Sequence, residues 1–268
     1  MFISIGNFSS NILLKEENKL QLDHNYFSSF YTTMKDYEDN FDLASCIECI
    51  EDRKDPNQNY YLIIDPDDNQ SGVSLKLIEK LKEMNKNVYV FMILKEVKNL
   101  NKQKLFNQNL NFTVYQDLAR AGEINRLFLI DLSLVISKFN VSLRNFEKSV
   151  SESVSKIIKN CCFVLENPPI YGTEFITPDI KRISTFGILQ DKVEFYFYNF
   201  QTDVVSQKHY LFYLNDEELN DGNNTLTNIN SLLSNKDESC SYSIYESGAT
   251  TSITYVIKST NYVEQIKE

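Results

Sequence analysis

Apolar and polar positions fall into their clearest pattern over residues 59–96, NYYLIIDPDDNQSGVSLKLIEKLKEMNKNVYVFMILKE. An apolar run at 60–64 stops at Asp65 and Pro66. Leu75, Ile78, Leu81 and Met84 follow at steps of three and predict a helical stripe, and 88–94 is a second apolar run. Strand, helix and strand in so short a span predict a βαβ unit with parallel strands and a right-handed crossover. In such units the turn from strand to helix is where phosphates bind, because free backbone N–H groups and the helix dipole meet there. Here that turn reads DPDDNQSG, with one glycine and the carboxylates of Asp65, Asp67 and Asp68. The architecture suggests a nucleotide site; its residues argue against one.

The same reading organises the rest of the chain. Residues 2–5 predict a short strand, followed by GNFSSNI, a turn with Gly6 and polar caps. Residues 42–50 predict a helix. Residues 102–121 have helical character through Leu105, Leu110, Val114 and Leu118, with Gly122 marking the end. Residues 127–134 show no alternation, as buried parallel strands do not. A long helix is predicted over 143–161 from Leu143, Phe146, Val150, Val154, Ile157, Ile158 and Cys161, and Pro168 and Pro169 end that unit. Thr177 suits the cap of a helix with Pro178 at its first position. The pattern then changes. KVEFYFYNF (192–200) and residues 209–214 read as strands of an antiparallel sheet, 225–233 as a helix, and 241–259 as a hairpin with its turn at ESGATT.

Composition narrows the function classes. The chain has 268 residues, 18 Phe, 16 Tyr and no Trp, enough apolar side chain for a substantial core. A net charge of −10 argues against nucleic acid or an anionic membrane as the main partner. No stretch approaches the roughly 20 apolar residues of a membrane span, and the N-terminus lacks the pattern of a signal peptide. Abundant Asn, Lys, Ile, Ser and Tyr with few Gly and Pro suggest an AT-rich genome, such as a virus, a parasite or a low-GC bacterium. The five cysteines (Cys46, Cys49, Cys161, Cys162 and Cys240) are an odd number and read as reduced thiols. Cys46 and Cys49 lie in an amphipathic helical pattern without a second ligand pair, so they read as small buried residues rather than half a zinc site. With only His24 and His209, a three-histidine zinc site is ruled out and Ser–His–Asp chemistry is disfavoured.

The order of elements resembles the tubulin and FtsZ superfamily over most of the chain. SGVSLKLIEKLKEMNKNVYVFMILKE (71–96) is similar to the end of that family's glycine-rich signature loop, its helix and the next strand. KLFNQNLNFTVYQDLARAGEINRLFLIDLSLV (104–135) resembles the basic, Asn-containing helix before a buried strand. LRNFEKSVSESVSKIIKN (143–160) resembles the central helix, FITPDIKRIS (175–184) the catalytic loop and the helix after it, and SYSIYESGATTSITYVIKST (241–260) the closing hairpin. The resemblance implies an α/β fold with a parallel-sheet, Rossmann-like N-terminal domain (1–140), a central helix (141–165) and a smaller α+β C-terminal domain (166–268).

The functional residues of that family carry over incompletely. Against its signature GGGTGTG stand Asp67, Asp68, Asn69, Gln70, Ser71 and Gly72, so only Gly72 is kept. Carboxylates would stand where phosphate oxygens belong, and two like charges about 4 Å apart cost about 1 kcal/mol in water and more in a drier site. Paired carboxylates also hold magnesium or calcium, but capping of the helix N-terminus by Asp65, Asp67 and Asp68 is the reading preferred over a metal site. In the first loop, Gly6 is kept, and Ser9, Ser10 and Asn11 either donate to an anion or cap a helix. The resemblance places Gly6, Ser9, Ser10, Asn11, Gln70, Ser71 and Gly72 around any nucleotide. Of the two acids in the catalytic loop, Asp179 matches the second, while the first falls near Ile176.

The expectation is therefore a non-catalytic structural protein with no cofactor, which associates with itself or with other structural proteins and not with nucleic acid or membrane. Its expected setting is the cytoplasm or a phage or other virion. Two other readings stand beside it. One is an active, divergent cytoskeletal GTPase with GTP or GDP and magnesium; the other is a Rossmann-like module that binds a ligand or a protein.

Overall fold

The computed structural model describes residues 1–12, 19–23, 25–27, 31–52, 59–139, 141, 143–175, 181–201, 207–234, 240–262 and 264. In chain order, β1 (Phe2–Ile5) leads through a 3-10 turn (Ser9–Asn11) to β2 (Lys19–Leu22), α1 (Met34–Asp39), α2 (Leu43–Asp52) and β3 (Asn59–Ile64). A second 3-10 turn (Asn69–Val73) opens α3 (Ser74–Glu83), followed by β4 (Asn87–Leu94), α4 (Lys102–Ala121), β5 (Arg126–Asp131), α5 (Leu132–Phe139) and α6 (Phe146–Glu166). The remainder is β6 (Tyr171–Gly172), β7 (Ile183–Gln190), β8 (Val193–Tyr196), β9 (Gln207–Leu214), α7 (Asp216–Asn220), α8 (Gly222–Ser234), β10 (Cys240–Glu246) and β11 (Ile253–Thr260).

Among the described residues the strands form one sheet in the order β2-β1-β3-β4-β5-β7-β11-β9-β10-β6, with β8 paired to β7. The first five strands are parallel. β5 passes into the C-terminal strands through two parallel register pairs, Leu127 with Ile183 and Phe128 with Ser184. The period of two along β3 and β4 sorts their side chains between two cores. Leu62, Ile64, Val90 and Met92 face α2, α3 and α4, whereas Tyr61, Ile63, Phe91 and Ile93 face α5 and α6. Both faces are covered, which explains the uninterrupted apolar runs. A third core lies under α8, where Ile229 packs with Tyr210, Phe212 and Val256.

The predicted βαβ unit is present, and Ile78 and Leu81 of its helix and Met84 at its end pack on the core as predicted, but Leu77 takes the inward place expected of Leu75, which is exposed. α4 departs further. It ends at Gly122, whose φ of 79° is the left-handed cap predicted, yet its inner face is Asn107, Gln108, Asn111, Phe112, Tyr115, Gln116 and Ala119. Leu110 and Phe106 point to solvent at 43% and 60% exposure. The amides turn inward because they have backbone partners there, as described below.

β5 is shorter than predicted. Asp131 Oδ1 accepts from Ser133 N at 2.8 Å and Ser133 Oγ at 2.6 Å, turning the chain into α5. The central helix begins at Phe146 rather than Leu143, which is 90% exposed, and buries Val150, Val154, Ile157, Ile158 and Cys161 as predicted.

Three further readings are corrected. β10 and β11 are not a hairpin, because β9 lies between them, parallel to β10 and antiparallel to β11. Residues 192–200 form a strand only as far as Tyr196, in a hairpin whose two-residue turn, Asp191 and Lys192, has φ of 51° and 66°. Thr177 and Pro178 lie outside the described residues, and the helix predicted after them does not reach Ile183, where β7 begins. Cys46 is buried in α2 as predicted; Cys49, one turn on, is exposed.

Candidate functional site

β1 and β3 are parallel neighbours whose connections leave in opposite directions, β1 toward β2 and β3 toward β4. The crevice beyond the C-terminal ends of such strands is where open α/β sheets bind ligands. Two loops meet there: a first loop of residues 6–12 after β1, and a second of residues 65–73 after β3.

The first loop is held at both ends by the protein's own side chains. At its amide end, Asp65 Oδ2 accepts from Phe8 N at 2.7 Å and Ser9 N at 2.9 Å. Asp68 Oδ2 accepts from Asn7 Nδ2 at 2.9 Å and Asn7 N at 3.3 Å. At its carbonyl end, Ser10 O accepts from Lys19 Nζ at 2.7 Å and Gln21 Nε2 at 2.6 Å, and Ile12 O also accepts from Lys19. The hydroxyls of Ser9 and Ser10 donate to Gly6 O, and Asn11 Nδ2 donates to Asn7 O. Gly6 has φ of 113°, and a Cβ there would lie 2.6 Å from the Asp65 side chain, so glycine is required by conformation and by space.

The second loop is held from three sides. Its three carboxylates have different partners: Asp65 reaches Phe8 and Ser9 of the first loop; Asp67 takes Lys95 Nζ on both oxygens at 2.8 and 3.0 Å; Asp68 reaches Asn7 with Oδ2 and caps the 3-10 turn by accepting from Gln70 N with Oδ1. Capping is therefore the role of Asp68 alone, and the residue before α3, Val73, has no side chain that can cap. From α4, Asn111 Nδ2 donates to Pro66 O at 2.8 Å and Ser71 Oγ at 2.9 Å, and Asn107 Nδ2 donates to Asn69 Oδ1 at 2.7 Å. Gln108 pairs its amide with the backbone of Lys95, giving and receiving at 3.0 Å. From the other side, Asn69 Nδ2 donates to Thr32 O, and the backbone of Met34 crosses Gly72. Gln70 and Ser71 are buried beneath this cover.

Electrostatics follow burial. Asp65 is fully buried, and loss of water pushes its carboxyl up to about 7 against the pull of Lys95 and the Ser9 N–H. Asp67 and Asp68 push it in the same direction as burial. Its second oxygen, Oδ1, has no hydrogen-bond partner among the described residues. Burial draws the Lys95 ammonium down, but Asp65 and Asp67 outweigh it and leave the group above its ordinary value. Burial lowers Lys19 to about 8, against the pull of Asp23.

Of the positions implied by resemblance, Gly6, Ser9, Ser10 and Asn11 lie in the first loop and Gln70, Ser71 and Gly72 in the second, where Gln70 and Ser71 are buried and Gly72 lies against the backbone of Met34. Asp179 lies outside the described residues. The sequence reading missed Lys19, Lys95, Asn107 and Asn111. The amide spacing of Asn107, Gln108 and Asn111 was the available signal, since it gives a polar stripe at one helical turn. Phosphate binding at such a crevice needs free backbone N–H groups. In this arrangement the N–H groups of Phe8 and Ser9 are spent on the buried Asp65, so these donors do not fit a nucleotide phosphate.

No protein-family model and no curated protein sequence matches the chain. Solved structures do. An empty FtsZ dimer from M. jannaschii aligns over 100% of this chain and 92% of its own, at 10% identity and a TM-score of 0.65. TubZ from Bacillus thuringiensis serovar israelensis, in a GTPγS-form protofilament, aligns over 96% and 85% at 9% identity and a TM-score of 0.69. GDP-bound monomeric CetZ1 from Haloferax volcanii aligns over 97% and 93% at 12% identity and a TM-score of 0.67. With the parallel N-terminal strands, the long α6 and the C-terminal strands in the order found, the chain has the tubulin/FtsZ-like fold.

Proposed function

We propose that this protein is a non-catalytic structural subunit that keeps the tubulin-like framework, does not use GTP, and associates with itself or docks in a larger assembly. The observation that carries this reading is the Asp65 carboxyl on the N–H groups of Phe8 and Ser9. An internal acid takes the donors that a phosphate would need. Lys95, a nearby cation directly after β4, is in turn committed to Asp67. Self-association is supported by the company the fold keeps, since the matched FtsZ and TubZ structures are a dimer and a protofilament. The amino-acid usage, which suggests an AT-rich genome, fits a virion or phage component.

The test is calorimetry of GTP and GDP with and without magnesium, together with sedimentation across a concentration series. The expected result is no nucleotide binding near 100 μM and concentration-dependent association without nucleotide. Micromolar binding with turnover would replace this reading with an active, divergent GTPase. A strict monomer at all concentrations would remove self-association and leave docking on another protein.

A further inference from the structure

We propose that Asp65 is a proton-linked latch on the first loop, closed when its carboxyl is neutral and driven open when the carboxyl ionises. The geometry is that of an under-solvated acid. Oδ2 has the N–H groups of Phe8 and Ser9, while Oδ1, buried, has no partner among the described residues. A neutral carboxyl carries its proton on Oδ1 and forgoes one hydrogen bond there; a carboxylate leaves half its charge without solvation, which costs more. Lys95, at the end of β4, is the nearby cation, but both Asp67 oxygens hold it at 2.8 and 3.0 Å. Asp67 and Asp68, from the same loop, repel a second negative charge. The first loop offers only its two amides. Lys19 grips the far end of that loop, through Ser10 O and Ile12 O.

Opening the loop admits water to Oδ1 and moves Phe8 and Ser9 away from Oδ2. Burial holds the closed-state carboxyl near 7, against an ordinary value of 3.8. The closed state therefore binds the proton more tightly, and closure is strongest below the ordinary value and weakens as pH rises toward 7. Lys19, lowered to about 8, titrates above that window. The latch deepens the reading of Asp65 as the internal acceptor for the N–H groups of this loop, and it is measured without nucleotide, so either reading can fail alone.

The experiment is amide hydrogen exchange at Phe8 and Ser9 between pH 5 and 8.5, corrected for the intrinsic rate, on the whole protein and on Asp65→Asn. In the wild-type chain, protection should fall by up to tenfold per pH unit until about 7 and then level off. Asp65→Asn, a neutral near-isostere, should show flat protection and slower exchange than wild type at pH 7.5. Protection in the wild-type chain that is flat or rises with pH overturns the proposal, whether or not the variant folds. Faster exchange in Asp65→Asn than in wild type at pH 7.5 overturns it too, because that would mean the charge grips the loop.

Discussion

A Cβ built on Gly72 would lie 2.1 Å from the carbonyl oxygen of Met34. Gly72 is the one glycine kept from the signature loop, and it is kept for space: the backbone at the start of α1 crosses directly over the second loop. A methyl group here must push backbone rather than a side chain. Gly72→Ala should therefore lower the free energy of unfolding by about 1–3 kcal/mol, as overpacking of a tight contact does. Urea denaturation checks this; wild-type stability in the variant would mean the two backbones separate at no cost.

Lys95 and Asp67 form a close ion pair beside the second loop, with Asp67 almost fully buried and Lys104 a more distant 3.8 Å away. Removing only the cation leaves a buried carboxylate. Lys95→Met should cost about 3 kcal/mol, the low end for a broken buried pair because Lys95 keeps some exposure. Adding Asp67→Asn should recover most of it, and thermal unfolding of the two singles and the double gives the coupling. Additive losses would show that the pair does not act as a unit.

Asn111 serves two acceptors in the second loop from a buried position on α4. Asn111→Leu leaves Pro66 O and Ser71 Oγ short of a donor and should cost about 1–3 kcal/mol. Asn109→Leu, on the exposed side of the same helix, should stay within about 0.5 kcal/mol of wild type. Equal melting temperatures for the two variants would contradict the inward role of the amide face.

His209 is buried in β9, with Nδ1 and Nε2 each 2.7 Å from a serine hydroxyl, Ser241 and Ser243. Burial, helped by Arg126, lowers its ring from 6.5 to about 4. The folded chain thus holds it neutral while the unfolded chain takes up a proton below 6.5. Stability should fall as pH drops from about 6.5 to about 4, by up to about 3 kcal/mol in total. His209→Gln should flatten that part of the pH profile in chemical denaturation; an unchanged slope would show that other groups set it.

Legibility in the sequence followed the range of the interaction. β3, α3 and β4 were readable because burial on two faces makes each strand a continuous apolar run and burial on one face gives the helix a period of three to four. Gly122 was readable because a left-handed cap is a local requirement. The inner face of α4 was not, because Asn107 and Asn111 turn inward for partners some 40 positions away in the chain. In the absence of those partners the apolar Leu110 is the natural choice for the core. The hairpin reading failed in the same way. The pattern of 241–259 gives two strands and a turn, but β9, arriving from earlier in the chain, pairs with both and keeps them apart.

The sequence by itself determined the α/β class, the βαβ unit at 59–96, the central helix stripe from Val150 to Cys161 and the scarcity of glycine in both loops. These depend on backbone geometry and on the burial of near neighbours. Only the tertiary structure decided what the three acids do. Asp65, Asp67 and Asp68 are nearly adjacent and chemically alike, yet Asp65 holds Phe8 and Ser9, Asp67 holds Lys95, and Asp68 caps a turn and holds Asn7. Which donor each carboxylate meets depends on where β1, β4 and the first loop lie in space, and spacing along the chain does not encode that.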